Sequence, residues 1–210
     1  TIDLQHGMLD FVKCKIILQI LLKYNIFPIV RVPSNDLGLI NKCLDAGARG
    51  IICPLVNNGK ECSEFVENCY YPPKGVRSFG PTIAGIGNNN YFMSSNNEIL
   101  SAVMIETKES VRNLDEILSV ENLDLVYVGP YDLSISYGHK PEKIFELNDM
   151  LEVFSLILKK CIKRGKKAAI HCDGGKTAKF FLNKGFELVT IDTDLNLLKK
   201  GLENELSLID

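Results

Sequence analysis

The sequence predicts an α/β fold of parallel βαβ units, arranged as a (β/α)8 TIM barrel. Short, apolar, β-rich runs alternate with longer stretches of helical periodicity along the whole chain, the pattern of parallel strands joined by crossover helices. Each short run is apolar at nearly every position, as a strand buried on both faces requires. No glycine-rich fingerprint opens a helix after any of these runs, which weighs against the open, doubly wound sheet that shares the same alternation.

Thr1-Ile2-Asp3 reads as the end of a first strand, and further strands are expected at residues 27–32, 50–53, 102–106, 125–129, 168–172 and 188–192. Between them, helical patterns run over residues 13–24, 36–45, 59–69, 109–118, 147–162, 177–183 and 195–208. In the clearest, Leu147, Met150, Leu151, Phe154, Ile157, Leu158, Cys161 and Ile162 share one stripe at spacings of three and four. Asp149, Glu152, Lys159, Lys160 and Lys163 lie opposite, acids early and bases late, which suits the helix dipole, and Gly165 stops the helix. Such barrels run to about 250 residues. Six strands and a stub in 210 residues therefore fit a barrel that lacks its first βα unit, in a chain shorter than the natural one. Residues 1–210 are expected to form one domain. Residues 71–97, with Pro72, Pro73, Pro81, four glycines and several asparagines, read as a long loop: a lid, an intersubunit arm or a plain surface excursion.

Composition narrows the function classes. With 46% hydrophobic residues the chain can bury a substantial core, and a net charge of −2 offers no broad basic surface for nucleic acid or anionic lipid. No run approaches the roughly 18 to 20 apolar residues of a membrane span. Seven cysteines, an odd number with no CxxC pair, exclude zinc-ribbon and thioredoxin readings and are expected as free core thiols in a reducing cytoplasm.

In a barrel, residues at the carboxyl ends of the strands face a common site. Asp3 and His6 follow the first strand, Arg31 and Glu106 end later ones, and Asp132 follows Gly129-Pro130 after another. A carboxylate at the end of Ala102-Val103-Met104-Ile105 costs several kcal/mol to bury without compensation. Glu106 and Asp132 together make a minimal site for a hard cation such as Mg²⁺ or Mn²⁺; singly, each also fits a salt bridge or a helix cap. Asp3, three residues before His6, is placed to fix the imidazole tautomer, making a general acid/base pair. His171 ends a strand and either lines the site or packs structurally, whereas His139 lies in a polar turn. Lys166 and Lys167 precede their strand, at the wrong end for Schiff-base chemistry. Asp173-Gly174-Gly175-Lys176-Thr177 lacks the first glycine of a phosphate loop, since position 170 is isoleucine.

Several segments, in order, resemble the HpcH/HpaI aldolases: Asp3-Leu4-Gln5-His6-Gly7, Arg31-Val32-Pro33, Leu44-Asp45-Ala46-Gly47-Ala48-Arg49-Gly50-Ile51-Ile52, Tyr71-Pro72-Pro73-Lys74-Gly75-Val76-Arg77-Ser78, Met104-Ile105-Glu106-Thr107 and Gly129-Pro130-Tyr131-Asp132-Leu133-Ser134. The resemblance implies a metal-dependent class II pyruvate aldolase on a (β/α)8 barrel, cleaving a 4-hydroxy-2-oxo acid to pyruvate and an aldehyde. It implies a homo-oligomer, a trimer or a hexamer built from trimers. Glu106 and Asp132 match the metal carboxylates for Mg²⁺ or Mn²⁺, with Co²⁺ a further candidate. Arg31 matches the arginine beside the keto oxygen, and His6 with Asp3 the acid/base pair working through a metal-held water. Gly129, Pro130 and Tyr131 match the turn that receives the pyruvate carboxylate. Gln5 stands where many members have glutamate, and Ile83 where an arginine is frequent. Two alternatives remain: a citrate-lyase-β-like lyase acting on a CoA thioester, and a barrel-derived binding scaffold without turnover.

Overall fold

Side chains on a strand point alternately to its two faces, and in this chain both faces are apolar. Val30, Ile51, Val103, Ile105, Val126, Val128 and Ile170 face the helices in one large core. Their neighbours Ile29, Ile52, Ala102, Met104, Leu125, Tyr127 and Ala169 form a second cluster on the opposite face. This two-sided burial belongs to seven parallel strands: β1 (Ile2–Asp3), β2 (Ile29–Arg31), β3 (Gly50–Cys53), β4 (Leu100–Ile105), β5 (Leu125–Val128), β6 (Lys167–His171) and β7 (Leu188–Thr190). They pair strictly in chain order. The structure, a computed structural model, describes residues 1–209.

The sheet is curled, and its concave face is the one that carries the second cluster. The Tyr127 hydroxyl on β5 lies 2.7 Å from Thr190 Oγ1 on β7, reaching past β6. The charge of Arg31 on β2 acts on His171 on β6, although four strand spacings in a flat sheet would part them by roughly 19 Å. Among the described residues β7 does not pair with β1, so the sheet is an open, curled arc of seven strands and not a closed ring.

Helices α1 (Phe11–Leu21), α2 (Leu37–Asp45) and α3 (Gly59–Cys69) start where short polar side chains accept from the first turn: Asp10 from Lys13 N–H, Asp36 from Leu39 N–H and Asn58 from Glu61 N–H. The expected loop over residues 71–97 ends in a helix, α4 (Tyr91–Glu98). It forms because Phe92 packs against Tyr71 and Phe79, ring centroids 5.3 and 5.6 Å away, while the buried Arg77 pairs with Asp45 at 2.6 Å. The helix expected at residues 109–118 is two helices, α5 (Lys108–Arg112) and α6 (Leu114–Ser119). Asn113 separates them with φ −91° and ψ 12°, its side-chain N–H₂ drawn to Asn57 O at 2.9 Å.

The remaining helices are α7 (Pro130–Ser136), α8 (Asn148–Lys163), α9 (Gly175–Lys184) and α10 (Asp194–Leu206). Helix α8 buries Met150, Phe154, Ile157, Leu158 and Cys161 of the expected stripe, while Leu151 and the preceding Leu147 are half-buried and Ile162, in the last turn, is exposed. Helix α10 buries no residue, and Leu195, Leu198 and Leu202 stand in solvent. All seven cysteines are buried and unbonded. Among the described residues no helix is long and apolar enough to cross a membrane.

Candidate active site

Strand parity determines which polar residues meet. Stepping two residues along each strand from the concave cluster leads from Ile29 to Arg31, from Met104 to Glu106, from Tyr127 to Gly129, from Ala169 to His171 and from Leu188 to Thr190. Asp3 joins them because β1 pairs with β2 in the register Asp3↔Arg31. These side chains therefore line the concave face at the carboxyl ends of the strands.

Asp3 and Arg31 form a two-pronged ion pair: Arg31 Nε donates to Asp3 Oδ1 at 2.9 Å, and Arg31 Nη2 donates to Asp3 Oδ2. Oδ1 also accepts the backbone N–H groups of Gln5 at 3.0 Å and His6 at 3.3 Å. Burial pushes the Asp3 carboxyl up, but the Arg31 bonds and these N–H groups outweigh it and hold the group below its ordinary value. The turn is tight enough that a Cβ on Gly7 would lie 2.1 Å from Asp3 O. The expected contact between the Asp3 carboxylate and the His6 imidazole is not formed. The carboxylate is occupied by Arg31, and the His6 ring is exposed without a hydrogen bond among the described residues.

Glu106 is 2% exposed. Its Oε1 accepts the Leu55 N–H at 2.6 Å, and Leu55 adopts φ 55° to present that donor, a left-handed conformation that costs a branched residue free energy. Its Oε2 faces Gly129, where a Cβ would lie 2.7 Å away. Burial raises the Glu106 carboxyl above its ordinary value; the negative charge of Asp132 raises it further, while the Leu55 N–H and Arg31 oppose the shift. Asp132, exposed on the first turn of α7, thus acts electrostatically on Glu106, and the two carboxylates lie on the same rim. The α7 ladder begins with Leu133 N–H donating to Gly129 O at 3.0 Å, which leaves the preceding N–H groups of that turn outside it.

Two like-charged carboxylates, one buried and raised, are a donor set that a hard divalent cation relieves. Among the described residues no group of three or more His, Cys, Asp and Glu side chains gathers, so such an ion would take its other ligands from water and substrate oxygens.

Other residues on this face were less legible. Thr190 Oγ1 lies 2.7 Å from both His171 Nδ1 and Tyr127 OH. The Tyr131 ring stands 6.0 Å from that of His171, centroid to centroid. Thr190 and Tyr127 sit two residues from Leu188 and Gly129, so parity was the signal that would have found them. Ile83 lies apart from the site, its N–H donating to Asp45 O at 3.0 Å. Lys166 is likewise remote, bonding to the Val120 and Leu123 carbonyls below the strands.

The arrangement is a concave α/β site with a carboxylate pair facing a guanidinium. A family model described as HpcH/HpaI aldolase/citrate lyase matches residues 2–200, and the chain belongs to that family. It is 36% identical over 199 residues to a hydroxypyruvate/pyruvate aldolase of Rhizorhabdus wittichii, covering 94% of this chain and 79% of that protein. It is 32% identical to a 4-hydroxy-2-oxo-heptane-1,7-dioate aldolase of Klebsiella pneumoniae, covering 89% and 71%. The fold superposes on an HpcH/HpaI aldolase/citrate lyase family protein from Burkholderia cenocepacia with a TM-score of 0.91, at 23% identity and over 99% of this chain and 84% of that one.

Proposed function

We propose that this chain is a divalent-metal-dependent aldolase that reversibly cleaves a 4-hydroxy-2-oxo acid to pyruvate and an aldehyde. The observation that carries the reading is the buried, raised carboxyl of Glu106 sharing a rim with Asp132 and within the field of Arg31. Names of relatives at 36% and 32% identity support the reaction class.

Glu106 and Asp132 would hold Mg²⁺, Mn²⁺ or Co²⁺, which when bound supplies positive charge for the developing enolate. Arg31, locked by Asp3, places a second positive group at the 2-oxo oxygen. The turn at Gly129, Pro130 and Tyr131 receives the substrate carboxylate, with the Tyr131 and Asp132 N–H groups as donors, since the Gly129 N–H is already given to Ile105 O and proline has none. His6 accepts the proton of the 4-hydroxyl as the C3–C4 bond breaks, the bonding pair passes into the enolate, and the aldehyde leaves. The same proton then returns to C3 to give pyruvate. Asp3 is a positioning residue for both halves, since one carboxylate holds the Arg31 guanidinium and the backbone of the turn that carries His6.

Sequential strand order and curl support an eight-stranded barrel as the working single-domain architecture, with one more strand between the unpaired edges of β7 and β1. The exposed leucines of α10 support a homo-oligomer, and seven unbonded thiols support a reducing, cytoplasmic setting.

The test supplies purified protein with a panel of 4-hydroxy-2-oxo acids and follows pyruvate through a coupled enzyme, with chelator and with added Mg²⁺, Mn²⁺ or Co²⁺. Chelator-sensitive release that Glu106→Gln or Asp132→Asn abolishes is the expected result. Undiminished release in those variants, or cleavage of CoA thioesters alone, overturns the assignment.

A further inference from the structure

The 2-oxo acid half of the substrate is accounted for by β2, β4 and the β5 turn. On the concave face this leaves the β6 and β7 rim, where His171 and Thr190 form a hydrogen-bonded chain with Tyr127 of β5 that the reaction above does not use. Thr190 Oγ1 is its centre, 2.7 Å from Tyr127 OH on one side and 2.7 Å from His171 Nδ1 on the other. A threonine hydroxyl has one proton, so the chain has a direction. Burial pushes the Tyr127 phenol up to about 12, so it keeps its proton. Thr190 is its only side-chain partner among the described residues. If Tyr127 donates to Thr190 and Thr190 donates to His171 Nδ1, every proton of the chain is used. The reverse direction leaves the Tyr127 proton without an acceptor, and donation by both Tyr127 and His171 to Thr190 leaves the threonine proton without one among the described residues. Burial and the charge of Arg31 across the bowl pull the imidazole below its ordinary value, against the opposing charges of Asp192, Asp173 and Asp3, and in the neutral ring the single N–H is then on Nε2.

The two ring nitrogens point away from one another, and with Nδ1 on β7 the Nε2–H is turned from that strand. Nε2 has no hydrogen-bond partner among the described residues, yet it is not sealed from solvent. The half-buried ring stands beside Tyr131, on the turn assigned to the substrate carboxylate.

We infer that His171 selects the aldehyde half of the substrate, its Nε2–H donating to a hydroxyl or other oxygen on the carbon next to the aldehyde carbonyl. This rests on the aldolase reading above. The chemical class it favours is a short oxygen-bearing aldehyde, such as a 2-hydroxyaldehyde, over an alkyl aldehyde of the same size.

Glycolaldehyde and propionaldehyde are near-isosteric and differ in this group. The experiment measures kcat/KM for condensation of pyruvate with each, in the wild type, His171→Leu and His171→Gln. Comparing the ratio between proteins cancels the intrinsic difference in aldehyde reactivity. His171→Leu is expected to lower the glycolaldehyde-to-propionaldehyde ratio roughly tenfold, chiefly through KM, and His171→Gln, which keeps a donor, to restore most of it. Metal-dependent exchange of the pyruvate methyl protons with D₂O, followed by NMR without any aldehyde, is expected to be unchanged in both variants and shows that each is folded with an intact pyruvate half. Exchange that is intact while the aldehyde ratio stays at the wild-type value overturns the role of His171 alone. Absence of metal-dependent exchange in the wild type instead overturns the aldolase reading, and this inference with it.

Discussion

Gly129→Ala isolates the link between backbone packing and the carboxylate pair. Gly129 has φ −93° and ψ 86°, a conformation open to alanine, so the substitution adds no left-handed strain. Its effect is steric: the new Cβ would lie 2.7 Å from Glu106 Oε2, 2.9 Å from Met104 Cε and 3.0 Å from Glu106 Cβ. A relaxed carbon–oxygen contact is about 3.3 Å, close to the usual heavy-atom optimum, so the carboxylate must retreat by about half an ångström. Glu106 cannot swing freely, because Oε1 is tied to the Leu55 N–H at 2.6 Å and the side chain is buried. Overpacking of this kind costs about 1–3 kcal/mol of stability. A misplacement of about 1 Å at a reacting centre costs roughly 10²-fold in turnover, so a retreat of about half that is expected to lower it by roughly tenfold. Denaturant titration and coupled pyruvate release measure the two effects on the same preparation. A Gly129→Ala protein with wild-type turnover and wild-type Mn²⁺ affinity would show that Glu106 is not held where the chemistry happens.

Other perturbations follow from the same geometry. Because the Glu106 carboxyl is raised in the folded protein, its contribution is fully present below the unfolded carboxylate value and is lost as pH climbs through the raised one. Chelated protein is therefore expected to lose melting temperature over that rise, Glu106→Gln to flatten the loss, and added Mn²⁺ to stabilise the wild type but not the variant, at about 2–4 °C for each kcal/mol; equal Mn²⁺ shifts in both proteins contradict this. Leu55→Gly relieves a left-handed residue whose side chain is 55% exposed, so it is expected to gain up to about 1 kcal/mol in urea titration while keeping activity, since the donor to Glu106 is backbone. For the homo-oligomer proposed above, replacing Leu198 and Leu202 of α10 with lysine is expected to reduce the mass measured by light scattering, with the circular dichroism unchanged; an unaltered mass counts against α10 as the face that assembles.

Much of the site was legible because parallel strands impose a simple rule. Once the apolar runs at residues 102–106 and 125–129 are read as strands, Glu106 and Gly129 must emerge at their carboxyl ends, and the observed strands agree to within two residues at each boundary. The partner of Asp3 was not legible. His6 is three residues away and Arg31 is 28, and local spacing favours the near one, but the β1–β2 register brings Arg31 directly opposite. The break at Asn113 was hidden for the same reason, since its acceptor, Asn57 O, comes from a distant loop. Helix α4 depends on aromatic contacts with Tyr71 and Phe79 rather than on any periodicity of its own.

What the sequence by itself determined is the alternation of strands and helices, the apolar character of both sheet faces and the set of polar residues at the strand ends, because these follow from local pattern and period-two geometry. Only the tertiary structure decided which of those residues touch: that Asp3 clasps Arg31, that Leu55 bends to serve Glu106, and that Thr190 joins Tyr127 to His171. Each of these contacts spans strands far apart in the chain, and its geometry is set by register and curl, quantities that no local stretch of residues encodes.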